Sequence, residues 1–178
     1  MNPPESFVTA RLLLRKPRPD DAPLIFAAYA QDAEITRYLT WRPHKSLADA
    51  HAAMERRIVG WESGADVSWM ICTRDGSELI GSISVRLDGH RVDLGYLLAR
   101  SYWGRGLMTE ALLAVVQWAF TEPSIFRVWA VCDIENPASV RVLEKAGFQR
   151  EGVLKQWAIH PNISSTPRDC FSYSKTRN

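Results

Sequence analysis

Two stretches of this chain combine residue types and spacings that could do chemistry. The first is Tyr102-Trp103-Gly104-Arg105-Gly106-Leu107-Met108-Thr109-Glu110. Two glycines two apart let a backbone turn sharply, with N–H groups that no side chain shields. A helix starting at that turn leaves about four N–H groups without internal partners, and its dipole places roughly half a positive charge there. Such a turn can cradle a pyrophosphate, to which Arg105 can add a full charge. The Gly-Lys-Ser/Thr of a nucleotide P-loop and the GxGxxG of dinucleotide folds are both absent. The same residues would also suit a tight strand-to-helix turn that binds nothing.

The second stretch is Asp133-Ile134-Glu135-Asn136-Pro137-Ala138-Ser139, leading into residues 140–148. Asn136 is a good helix N-cap, Pro137 fits the first helical position, and Gly147 stops the helix. Each has a purely structural explanation. Asn136 and Ser139 have a further one, because the start of this helix would face the same cleft as the first cradle.

The elements that would position these stretches follow from periodicity and turn signals. Residues 1–9 read as a loose leader and residues 11–16 as a short strand. Asp20 or Asp21 can cap a helix running to about Tyr29, with another turn at residues 33–38. Ser46 with Asp49 forms a capping-box variant before a helix whose apolar stripe is Leu47, Ala50, Met54, Ile58 and Trp61; Gly64 ends it. Residues 67–73 and 79–85 are strands joined at Asp75-Gly76, and Asp88-Gly89 leads into a third strand, 91–98. A helix over 106–121, a strand over 127–133, a helix over 137–146 and strands at 149–159 and 169–175 complete the order. The three-strand meander predicts antiparallel pairing, and the strand-helix-strand unit predicts a parallel neighbour. The expected fold is α/β: a mixed, mainly antiparallel seven-stranded sheet with helices on both faces. Residues 111–120, apolar nearly all round, should pack deep against that sheet.

Composition narrows the function. Twenty-two basic and 20 acidic residues give a formal charge of +2, too balanced for a protein that coats nucleic acid. The three cysteines show no CxxC pairing and the four histidines are scattered, so no metal site is expected. Cys72 and Cys132 sit in apolar strands and read as buried, inert thiols. No signal peptide is legible at the start, and the longest apolar run is far below the roughly 20 residues of a membrane helix. A single domain over residues 1–178 in the cytoplasm, monomeric or homodimeric and free of membrane and nucleic acid, is the expectation.

The chain resembles the GNAT superfamily of N-acetyltransferases, in the branch typified by RimJ and RimL. Residues 9–16 (TARLLLRK), Leu94-Gly95-Tyr96, residues 102–112 (YWGRGLMTEAL) and residues 135–148 (ENPASVRVLEKAGF) match in order and spacing. So does residues 160–164 (HPNIS) with Pro167-Arg168-Asp169. The resemblance implies acetyl-CoA as cosubstrate, no metal, and an amine as acceptor. It places the pyrophosphate loop on Trp103, Gly104, Arg105, Gly106, Leu107 and Met108. Trp103 stands where Arg or Gln is usual, and Met108 where Gly or Ala is usual. It implies a bulge near residues 96–98, with Leu97 and Leu98 holding the pantetheine arm, and it adds Asn136 and Ser139 to the cofactor contacts. Leu143 stands where the superfamily often has a proton-donating Tyr; in this branch Ser139 is the stand-in.

Direct transfer needs a neutral amine. An α-amino group with a pKa near 7.7–8.0 is roughly 10–20% neutral at pH 7, whereas a lysine amine near 10.4 needs about 4.6 kcal/mol to deprotonate. Asp93, on the strand entering the cleft, is the first candidate for the base, and Glu135 the second. Trp41, Arg42, His44 and residues 160–168 would border the acceptor mouth. Three readings stay open: acetylation of a protein N-terminus, of a ribosomal protein for instance; acetylation of a small antibiotic or metabolite amine; and a CoA-binding protein without catalysis.

Overall fold

The computed structural model describes residues 3–177. The elements are β1 (Ser6–Val8), β2 (Leu12–Arg15), α1 (Asp21–Ile25), α2 (Ala33–Thr36), α3 (Leu47–Ser63), β3 (Val67–Thr73), β4 (Leu79–Asp88), β5 (Arg91–Leu98), α4 (Leu107–Ala119), β6 (Arg127–Asp133), α5 (Pro137–Lys145), β7 (Gln149–Ala158) and β8 (Arg168–Thr176). One mixed sheet runs in the order β1-β2-β3-β4-β5-β6-β8-β7. Among the described residues it has eight strands where seven were expected. The extra one is β1, inside the stretch expected to be a loose leader. Two prolines hide any alternation there, yet Phe7 packs edge-on against Trp69 at 5.3 Å and Ser6–Val8 pairs antiparallel with β2.

The helices flank the sheet on both sides. Alternation along β4 and β5 turns Leu94, Tyr96 and Leu98 to one side and Asp93, Gly95 and Leu97 to the other. The first side meets α4 and α5 through Leu107, Ala111, Leu112, Val115 and Leu143. Each large aliphatic side chain buried there contributes roughly 1.5–3 kcal/mol. The second side meets α1 to α3 through Ala22, Ile25, Tyr29, Ala50 and Met54, which cover Met70, Cys72 and Leu97. The expected Ser46–Asp49 capping box is present at α3, and Gly64 ends that helix at φ 72°. The first expected helix shortens to Asp21–Ile25 and continues as a π-turn over Phe26–Ala30, which turns Tyr29 and Ala30 inward.

The feature that makes a site is a split in the sheet. β5 and β6 run parallel and pair only at Arg91↔Arg127, Val92↔Val128 and Asp93↔Trp129. Beyond that point the strands diverge. The alternate N–H and C=O groups of residues 94–98 that β6 would have taken face the gap instead. The expected bulge in β5 is not there: its register with β4 runs without a shift from Asp88↔Arg91 to Gly81↔Leu98. Divergence of β6, rather than a bulge, frees the backbone of β5.

Candidate active site

A cleft of about 1150 Å³ runs through this split, from the start of α4 on one side of the sheet to the loops around α2 on the other. Its lining includes Asp93, Leu97, Leu98, Trp103, Gly104, Gly106, Leu107, Met108, Asn136 and Ser139. Of the expected cofactor-binding residues Arg105 alone lies outside the lining, as does Glu135, the second candidate base. The Arg105 guanidinium stands 5.3 Å from the Tyr102 ring, and its carbonyl accepts from Arg11 Nη1 at 2.9 Å. What the turn offers a ligand is therefore backbone rather than the Arg105 side chain.

The turn needs its two glycines. Gly104 and Gly106 have φ of 75° and 74°, in the left-handed region where a Cβ is strained. Gly106 caps α4, and no side chain bonds the N–H groups of the first turn. These N–H groups open on the cleft. A Cβ at Gly104 would meet nothing within 4 Å, so the turn is open on that side. Trp103, in place of the usual Arg or Gln, donates from Nε1 to the Leu98 carbonyl at 2.7 Å and ties the loop to the end of β5.

A network that sequence alone did not disclose fastens the cradle to the far edge of the sheet. Glu110, in the first turn of α4, accepts from Thr9 Oγ1 at 2.6 Å, Arg11 N at 2.8 Å and Arg11 Nε at 2.7 Å. Burial alone would raise the Glu110 pKa, but these hydrogen bonds outweigh it and hold the carboxylate below its usual range. The motifs at residues 9–16 and 102–112 are thus in contact, a connection their sequence separation concealed.

On α5, Asn136 Oδ1 accepts from Ser139 N at 3.1 Å, as its capping role requires. The Ser139 hydroxyl is left for other work and lies 2.7 Å from Tyr96 Oη. Leu143 is fully buried in the core beneath it. Burial pushes the neighbouring Cys132 thiol up to about 12, and Cys72 and Cys170 are likewise buried free thiols with raised pKa values. None of the three is poised to react.

Asp93 approaches from the opposite side of the sheet. It is not free: Arg86, its cross-strand partner, donates to it from Nε at 2.9 Å and from Nη2. Deeper in the cleft Asp133 is buried, with Arg168 Nε at 2.6 Å, and Arg168 also reaches Glu135 at 2.8 Å. Burial alone would raise the Asp133 pKa; the Arg168 and Glu135 N–H hydrogen bonds reverse this and hold it low. Burial in turn lowers the pKa of His160, 3.6 Å from Asp133. Every carboxylate expected to act as base is therefore paired with an arginine.

The opposite mouth of the cleft is stitched together around this group. Tyr38 Oη donates to the Glu135 carbonyl at 2.7 Å, and Asn162 Nδ2 donates to the Thr36 and Trp41 carbonyls at 2.7 and 2.8 Å. Trp41, His44 and His160 line the cleft as expected, whereas Arg42 does not. Trp157 also lines it and went unnoticed in the sequence. The only non-glycine positive φ among the described residues, Gln156 at 48°, sits in the β7 irregularity beside it.

A sheet split between parallel strands, with a glycine cradle at one lip and a separate mouth at the other, is the architecture of an acyl-CoA-dependent acyltransferase. Residues 11–149 match the acetyltransferase (GNAT) domain family, and the chain belongs to that family. It is 34% identical over 169 residues to the uncharacterized N-acetyltransferase YoaA of Bacillus subtilis, covering 93% of each chain. It is 26% identical over 183 residues to the [ribosomal protein uS5]-alanine N-acetyltransferase of Escherichia coli, covering 94% of this chain and 93% of that one. Its fold superposes with a TM-score of 0.88 on the microcin C7 self-immunity acetyltransferase MccE, solved with acetyl-CoA and AMP, at 21% identity and 99% and 98% coverage. The protein is an N-acetyltransferase that uses acetyl-CoA as cosubstrate. No helix among the described residues is long and apolar enough to cross a membrane.

Proposed function

We propose that the protein acetylates the α-amino group of a protein N-terminus, and that the whole chain acts as one cytoplasmic catalytic domain. The observation that carries this reading is the pairing of Asp93 with Arg86, alongside that of Asp133 and Glu135 with Arg168. A carboxylate is a weak base in any case, and one already hydrogen-bonded to a guanidinium can relay a proton to water but not keep it. It could strip a lysine-like ammonium only against about 4.6 kcal/mol at pH 7, whereas an α-amine is already roughly 10–20% neutral there. The acceptor chemistry of the Escherichia coli relative, an alanine of a ribosomal protein, agrees with this choice.

In this reading the amine enters past Trp41, His44 and Trp157, and Asp93 receives its surplus proton through water and passes it to solvent. The backbone of residues 94–98, with Leu97 and Leu98, holds the pantetheine arm. The N–H groups from Gly104 to Met108 hold the pyrophosphate, in a loop tied to β5 through Trp103 and to Arg11 through the Arg105 carbonyl. Asn136 keeps the start of α5 in place. The nitrogen bonds to the thioester carbon, the carbon–sulfur bond breaks, and the thiolate is met by a hydrogen bond from Ser139. The proton lost by nitrogen balances the one gained by sulfur, through solvent. A thiol of pKa near 8.5 makes this a modest demand.

The test is a pH–rate profile on an N-terminal peptide. The rate should rise and level near pH 8, where the neutral amine becomes the major form. Asp93→Asn should lose about tenfold at pH 6.5 and less than about threefold at pH 9, where no relay is needed. Coincident profiles would remove Asp93 from the mechanism, and a wild-type rate still climbing past pH 9 would point to an aliphatic amine instead.

A further inference from the structure

Ser139 and Tyr96 stand on different elements, α5 and β5, and meet over the α4–α5 side of the split. Their oxygens are 2.7 Å apart, and Tyr96 Oη lies 3.4 Å from the Ser139 carbonyl. Both residues line the cleft. The rest of the Tyr96 ring packs against the core cluster that includes Leu94, Leu98, Cys132 and Leu143. This contact joins the two lips of the split at the level where the sheet pairing has already ended.

We propose that Tyr96 is a positioning residue for acetyl transfer, its phenol donating to Ser139 Oγ so that the serine hydrogen is turned into the cleft toward the leaving sulfur. This rests on the role given to Ser139 above. A phenol is a stronger acid than an alkyl hydroxyl, so of the two it is the donor. Burial raises the Tyr96 pKa further, which keeps the phenol protonated across the working range. A serine that receives its hydrogen bond from tyrosine has its own hydrogen left over. With Asn136 already accepting from the Ser139 N–H, backbone and side chain of this residue are both held from the protein side. No bond to Tyr96 is made or broken during turnover. Its task is to choose one rotamer of a hydroxyl that would otherwise sample three.

A double-mutant cycle tests this, with kcat, the KM for acetyl-CoA and the thermal midpoint read for each variant. Tyr96→Phe removes one oxygen and keeps the ring, so the fold should stand. Its kcat should fall about five- to tenfold, the worth of one well-placed hydrogen bond, with the KM for acetyl-CoA unchanged. The Tyr96→Phe, Ser139→Ala double variant should be no slower than Ser139→Ala alone, because the tyrosine acts only through the serine. Multiplying losses in the double variant, or full turnover in Tyr96→Phe, would overturn the positioning role while leaving Ser139 in place. Full turnover in Ser139→Ala is a separate outcome: it removes Ser139 from the mechanism, and this inference with it.

Discussion

Gly106→Val is expected to weaken CoA binding by roughly 100-fold while the protein still folds. Gly106 sits at φ 74° and caps α4. An L-residue in that region costs about 1–2 kcal/mol, more when β-branched. A Cβ there would find only Arg11 Nη2, at 3.7 Å, so the protein itself has room for it. The chain can relieve the strain by rotating the peptide, and that carries the first N–H groups of α4 away from the cleft. A hydrogen bond from N–H to a charged oxygen is worth about 1.5–3 kcal/mol, and losing one or two accounts for the expected drop. The valine methyls would also fill the space the pyrophosphate needs. Calorimetry with CoA, beside a thermal melt of the free variant, separates binding from stability. Unchanged affinity in a folded variant would show that the cradle lies elsewhere.

Ser139→Ala should lower kcat by at least tens of fold and leave CoA affinity nearly intact. A positioned proton donor contributes roughly 10²- to 10⁴-fold, and a thiolate that leaves without help needs less than most. The lower end of the range is therefore expected. The cap is not at stake, because Asn136 bonds the Ser139 backbone N–H, which alanine retains. A loss below threefold would return Ser139 to a purely structural place in the first turn of α5.

How much of this was legible in the sequence depends on how far apart the partners lie. The elements with clear local signals formed as read: the Ser46–Asp49 box, the Asp75-Gly76 turn and the Asn136 cap. β1 was missed because Ser6–Val8 is held by tertiary contact of Phe7 with Trp69 rather than by its own pattern. The β5 bulge was expected from resemblance, and the structure frees the same backbone by splaying β6 instead.

At the site, the glycine turn and the α5 cap could be read because each is local. The Asp93–Arg86 pair had a turn signal one residue out of register: a two-residue turn at Asp88-Gly89 would set 86 opposite 91, whereas the turn lies at Gly89-His90, with Asp88 opposite Arg91, and so places 86 opposite 93. Glu110 with Arg11 and Tyr96 with Ser139 had no such signal, since their contact depends on how helices dock on the sheet. Arg105 shows the converse: its position in the motif suggested a phosphate contact, and its side chain stands over Tyr102 instead.

The most direct measurement is acetyl-CoA consumption at pH 7 with two peptides of one sequence. One carries a free N-terminus and trimethylated lysines; the other has a blocked N-terminus and free lysines. Mass spectrometry of the products locates the acetyl group. Turnover is expected on the first peptide, with the acetyl group on its α-nitrogen, and at most a few per cent of that rate on the second. Equal or faster transfer to the lysine peptide would contradict it, as would no transfer to either peptide from acetyl-CoA that is demonstrably bound.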